Sequence, residues 1–167
     1  MSGFFTPKRT ATIGGMALGA LWTAVVLAAL PGLFEGGRGF GPTLALIGLG
    51  LGLLLAAMVV RVGLRRFLSE DYADGQPFPA DHPGLVDARV LTNTTEQVVL
   101  ALMVWPAVAW VIGPAVALAL AAAFIVARVL FWAGYHYWPW LRATAFAMTL
   151  YPTLAAAAWG LVALGAG

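Results

Sequence analysis

Few of the 167 residues can do polar chemistry, and most of those that can fall on short helical stretches. Arg89, Asn93 and Glu96 are spaced i, i+4, i+7, which places a guanidinium, an amide and a carboxylate on one stripe of a helix, with Gln97 beside it. Arg128, Phe131 and Tyr135, spaced i, i+3, i+7, put a guanidinium, a ring and a phenol on another, and the two stripes are expected to face each other. Arg142 follows Pro139 at the start of a further helical stretch, and Arg65-Arg66 closes an earlier apolar run. For Arg128 two readings stay open: a structural ion pair with Glu96 that joins two helices, or a part of a site. As a set, Arg65, Arg66, Arg89 and Arg142 with Glu96, Asn93 and Tyr135 suit a small zwitterion carrying excess negative charge. Arginines pair bidentately with carboxylates, and a carboxylate holds an ammonium.

A thiol peptide such as glutathione, with two carboxylates, one ammonium and a thiol, makes those demands. A free thiol titrates at about 8.5, and a fixed guanidinium beside it favours the anion. Arg142 at a helix N-terminus, where the backbone adds partial positive charge, is the residue placed to do so. No separate base is then needed, which fits a chain whose only histidines are His82 and His136. His82 reads as a solvated loop residue. His136 reads with Tyr137, Trp138 and Trp140 as an aromatic belt at a membrane interface. With no cysteine, two histidines and only Ser2 and Ser69 as serines, thiolate metal sites, histidine-built metal sites and serine triads are not expected.

The elements that must position these residues follow from composition. The chain is 62% hydrophobic and 10% charged, with a mean hydropathy of +0.90, far too apolar for one small soluble core. A bilayer core of about 30 Å takes about 20 apolar residues as helix. Five such helices are predicted, over 11–34, 40–68, 85–111, 115–137 and 141–165, with Gly113-Pro114 splitting a run too long for one crossing. Pro106 and Pro152 are expected to kink their helices. A cytoplasmic N-terminus puts eight of the nine basic residues on the inner side and leaves Arg38 outside. The C-terminus then lies on the opposite side. The polar stretch 69–84 reads as a cytoplasmic connector. There is no repeat and no nucleic-acid signature, and the basic balance belongs to the membrane topology.

Around these residues the sequence resembles the MAPEG superfamily, the membrane-associated proteins in eicosanoid and glutathione metabolism. Arg89-Val-Leu-Thr-Asn93-Thr-Thr-Glu96 is similar to the family's Arg-x-x-x-Asn-x-x-Glu motif. Arg128-Val-Leu-Phe131-Trp-Ala-Gly134-Tyr135, with Arg142 beyond it, resembles the Arg-x-x-aromatic-x-x-Gly-Tyr pattern, and Arg65-Arg66 resembles a further family feature. Leu91, Thr92 and Phe131 depart from side chains that are polar in many members. The resemblance implies an all-α integral membrane protein whose residues 39–167 form a four-helix bundle, with residues 1–38 adding one N-terminal transmembrane helix. It also implies a homotrimer in a bacterial inner membrane that holds glutathione as cosubstrate between subunits. Arg89, Asn93, Glu96 and Tyr135, with Arg65 or Arg66 on a carboxylate, would bind glutathione, and Arg142 would stabilise its thiolate. The implied activity is a transferase or peroxidase acting on a lipophilic electrophile or hydroperoxide. The alternative is a catalytically silent accessory subunit of a larger membrane complex, docked through the small-residue face Gly15/Gly19 of the extra helix.

Overall fold

A computed structural model describes residues 7–166. Five helices follow one another: α1 (Pro7–Ala28), α2 (Phe40–Phe67), α3 (Pro83–Val111), α4 (Pro114–His136) and α5 (Pro139–Gly165), with short 3-10 turns at Leu30–Phe34 and Glu70–Tyr72. No strand occurs among the described residues. The breaks fall where the chain chemistry demands them. Gly113 adopts φ +139°, a conformation open to glycine, and Pro114 then starts α4, where its missing N–H costs nothing. Helices α3 and α5 continue through Pro106 and Pro152. Helix α1 ends earlier than the 11–34 expected, because Pro31 lacks the N–H that another helical turn requires, and residues 30–34 tighten into the 3-10 turn.

Helices α2 to α5 are each long and apolar enough to cross a membrane, whereas α1 carries a shorter apolar stretch, Thr12–Ala28. Their outward faces confirm the setting. Leu53, Met103, Trp110 and Leu161 are each at least 70% exposed, an arrangement stable in lipid and costly in water. The protein is an integral membrane protein.

The core is narrow and mixed. Trp105 and Phe124 meet edge to face at 5.6 Å, both buried with Leu51 and Leu120, and the Trp105 indole N–H donates to Thr153 Oγ1 at 3.3 Å. Large residues of α2, α3 and α4 thus meet in the core, and Trp105 ties them to α5 through that hydrogen bond. Helix α1 lies along α5. Gly15 abuts Thr144 and Gly19 abuts Ala147, so closely that an added Cβ would come within 2.8 Å of Thr144 Oγ1 and 2.4 Å of Ala147 Cβ. Residue numbers rise together along the contact, so α1 and α5 run parallel. Small residues let the two backbones approach, which is how packing replaces the hydrophobic effect between helices in lipid. The side chains of Lys8 and Arg9, counted among the inner-face charges, lie outside the described ones.

Candidate functional site

The stripes on α3 and α4 do face each other. Arg128 Nη1 donates to Asn93 Oδ1 at 2.8 Å, and Asn93 Nδ2 donates onward to Glu96 Oε2 at 3.4 Å. The second guanidinium arm, Nη2, donates to Thr149 Oγ1 on α5, whose hydroxyl in turn donates to the Phe146 carbonyl at 2.8 Å. Of the two readings left open for Arg128, the direct ion pair with Glu96 is absent: its guanidinium goes to neutral acceptors, and Glu96 is reached only through Asn93. Arg128 is fully buried, its Nε has no hydrogen-bond partner, and no carboxylate lies within ion-pair distance among the described residues. Its charge is offset by ring faces, Phe131 at 4.3 Å and Phe124 at 5.5 Å. The apolar Phe131 at this position thus supplies a π-face.

Beside this guanidinium opens a cleft of about 690 Å³ whose walls include Asn93, Phe131, Tyr135 and Arg142. Arg142 sits in the first turn of α5 with its guanidinium carbon 4.9 Å above the Tyr135 ring. Gly134 makes that stacking possible: a Cβ there would stand 2.7 Å from the Arg142 backbone nitrogen. A side chain at 134 would push the start of α5 away from α4. The cleft therefore has a cationic end, built from Arg142, the N-terminus of α5 and the buried Arg128 behind Asn93. Among the described residues neither Arg142 nor Arg128 makes an ion pair with a carboxylate, so an anion entering the cleft meets positive charge.

The other expected site residues lie elsewhere. Arg89 and Glu96 are exposed on the outer face of α3, beside the cleft but not lining it. Arg65 and Arg66 do not reach it. Arg66 Nη1 donates to the carbonyls of Gln76 at 3.1 Å and Tyr72 at 3.4 Å, with its guanidinium 4.9 Å above Phe78, and so holds the 69–82 connector. Arg65 is drawn to Asp87.

A family model for the MAPEG family matches residues 41–162, most of the chain. The chain belongs to the MAPEG family. The match leaves α1 outside it. No curated protein and no solved structure matches the chain.

The polar centre of this MAPEG bundle that sequence reasoning missed is Asp87. Its side chain is 2% exposed and joins three helices. Arg61 Nε donates to Oδ2 at 3.0 Å, and Arg65 Nε donates to the same oxygen. The Trp132 indole N–H donates to Oδ1 at 2.9 Å, and His136 Nε2 lies 2.8 Å from that oxygen. Arg61 also stacks 4.7 Å over the Trp132 ring. His136 thus belongs to a buried hydrogen-bonded cluster rather than to the interface belt, while Tyr137, Trp138 and Trp140 remain exposed. His82 is not a free loop residue either: it caps α3, accepting from the Gly84 N–H at 2.9 Å and stacking on Phe78. The signal for Asp87 was its neighbours' spacing. Arg61/Arg65 on α2 and Trp132/His136 on α4 are i, i+4 pairs, each presenting two donors to one side.

Proposed function

We propose that this MAPEG protein is a membrane-bound glutathione transferase or peroxidase that holds glutathione as a thiolate for attack on a lipophilic electrophile or hydroperoxide. The observation that carries the proposal is the cationic end of the cleft, where Arg142 and the buried Arg128 flank Asn93 and Tyr135 and neither makes an ion pair among the described residues. Charge fixed before the ligand arrives favours whichever reacting species is anionic. Arg142 is assigned the thiolate, while the Asn93 amide and the Tyr135 phenol orient the peptide. In conjugation, sulfur bonds the electrophilic carbon, the leaving group departs with its electron pair, and the thiol proton goes to water. With a hydroperoxide, sulfur attacks the distal oxygen and the O–O bond breaks. The alcohol leaves after taking a proton, and a second glutathione converts the sulfenic acid to disulfide and water.

Arg89 and Glu96 are assigned glutathione's carboxylate and ammonium. Glu96 lies about 20 Å along α3 from Pro83, and both side chains are exposed in the single chain. Charges on a lipid-facing helix surface are costly, so a neighbouring copy covering this face, as in the homotrimer we propose, supplies the missing surroundings. The parallel α1 and α5 fit an odd number of crossings, with the N-terminus cytoplasmic and the C-terminus opposite, in a bacterial inner membrane. An open Gly15/Gly19 face would have favoured the accessory-subunit alternative; α5 covers that face.

The test is ultraviolet thiolate absorbance on adding glutathione to the purified protein, with Arg142→Ala beside it. A thiolate band at neutral pH that vanishes in the variant is the expected result. No band in either intact protein overturns the proposal.

A further inference from the structure

The cleft has a second, apolar end, and part of its wall comes from outside the four helices that match the family. Thr12 and Met16 of α1 line it together with Phe146, Ala147 and Leu150 of α5. Met16 is 46% exposed although its helix neighbours Gly15 and Gly19 are buried against α5. Its side chain is therefore held at the cleft by a backbone contact one residue away. The geometry restricts α1: with Gly15 on Thr144 and Gly19 on Ala147, any turn that brought a residue with a Cβ into either contact would clash, which favours Met16 in its place. Across the cleft stand Tyr135 and Arg142 of the polar end. One cavity is thus cationic where α4 meets α5 and apolar where α1 meets α5.

We infer that α1 is the specificity wall for the second substrate, with Met16 contacting the apolar chain or ring of the electrophile while glutathione occupies the cationic end. The inference rests on the glutathione reading and deepens it. A thioether side chain with three rotatable bonds suits this role, since it adapts to chains of different shape. Helix α1 also screens this side of the cleft from lipid, so that chain length in the substrate is measured against protein.

The experiment uses S-methyl- and S-decylglutathione, two conjugates sharing the peptide and differing in the apolar tail. Binding to the full-length protein in lipid nanodiscs is measured by calorimetry, with empty nanodiscs subtracted. Met16→Trp fills the apolar end, and Leu18→Trp, on the opposite and exposed face of α1, is the control. The expected result is that wild type and Leu18→Trp bind the decyl conjugate at least 10-fold more tightly than the methyl one. Met16→Trp should lose that preference by about 10-fold while binding the methyl conjugate unchanged. A decyl preference that survives Met16→Trp, or none in wild type, overturns the inference while methyl binding upholds the glutathione site. Failure of wild type to bind either conjugate overturns the glutathione reading itself, and the inference with it.

Discussion

A buried guanidinium without a carboxylate poses a sharp question of purpose, and Arg128→Met answers it. Methionine keeps an unbranched apolar stem in place of the arginine stem, and removes the charge, the donors and the guanidinium that stacks on Phe124 and Phe131. On the unfavourable side, two charge-assisted hydrogen bonds, to Asn93 and Thr149, are lost, at about 1.5–3 kcal/mol each. The ring contacts of a desolvated cation add about 2 kcal/mol. On the favourable side, an ion buried without a counterion carries a desolvation penalty of several kcal/mol, here increased by an orphaned Nε–H. Thr149 keeps its bond to the Phe146 carbonyl, so the substitution strands only the Asn93 oxygen, which lies beside the open cleft. The opposing terms nearly cancel. Stability of the ligand-free protein, measured by denaturant titration in detergent, is expected to stay within about 2 kcal/mol of wild type. The thiolate band with glutathione should fall at least tenfold. Saturating glutathione, at about 100 times its dissociation constant, should stabilise wild type by about 2.7 kcal/mol and the variant by almost nothing. A variant that loses more than about 4 kcal/mol while keeping the thiolate band would refute the reasoning and make Arg128 a strut between helices.

Two further substitutions separate the site from its scaffold. Gly134→Ala drives a Cβ to 2.7 Å from the Arg142 nitrogen and 3.0 Å from the Leu141 carbonyl carbon, backbone atoms that cannot swing aside. It should cost about 1–3 kcal/mol in thermal unfolding and weaken the thiolate band, by moving Arg142 off Tyr135. An unchanged band with normal stability would show that Arg142 needs no such placement. Asp87→Asn keeps the shape of the cluster on α2, α3 and α4 but removes its negative charge, and is expected to cost about 2–4 kcal/mol. The thiolate band should survive it, since Asp87 does not line the cleft, and Arg65→Gln should cost less in the Asp87→Asn background than in wild type.

The five helices could be read from the sequence because lipid imposes one constraint, internal satisfaction of every backbone group, on runs long enough to leave no alternative. Gly113-Pro114 marked the α3/α4 break on local chemistry alone, and the spacing of Arg89, Asn93 and Glu96 placed Asn93 toward α4. What spacing could not give was which of three residues on a stripe turns inward. Asn93 is at the cleft while Arg89 and Glu96, one turn to either side, are exposed. Nor could it assign partners across the chain. Arg65 reads the same whether it awaits a ligand or a buried aspartate 22 residues away, and His136 is indistinguishable from its aromatic neighbours until α3 is packed against α4.

The parallel contact of α1 with α5 has a consequence for how the molecule comes into being. The first helix of the chain completes its packing against the last, across more than a hundred intervening residues, a contact of very high sequence separation. During synthesis the glycine face of α1 stays unmatched while α2 to α4 are made. The cleft, bounded by both helices, cannot close before α5 arrives. A chain cut short before residue 139 would therefore hold Arg128, Asn93 and the α1 side of the cleft but neither its α5 side nor Arg142, and ligand recruitment becomes a property of the finished protein alone.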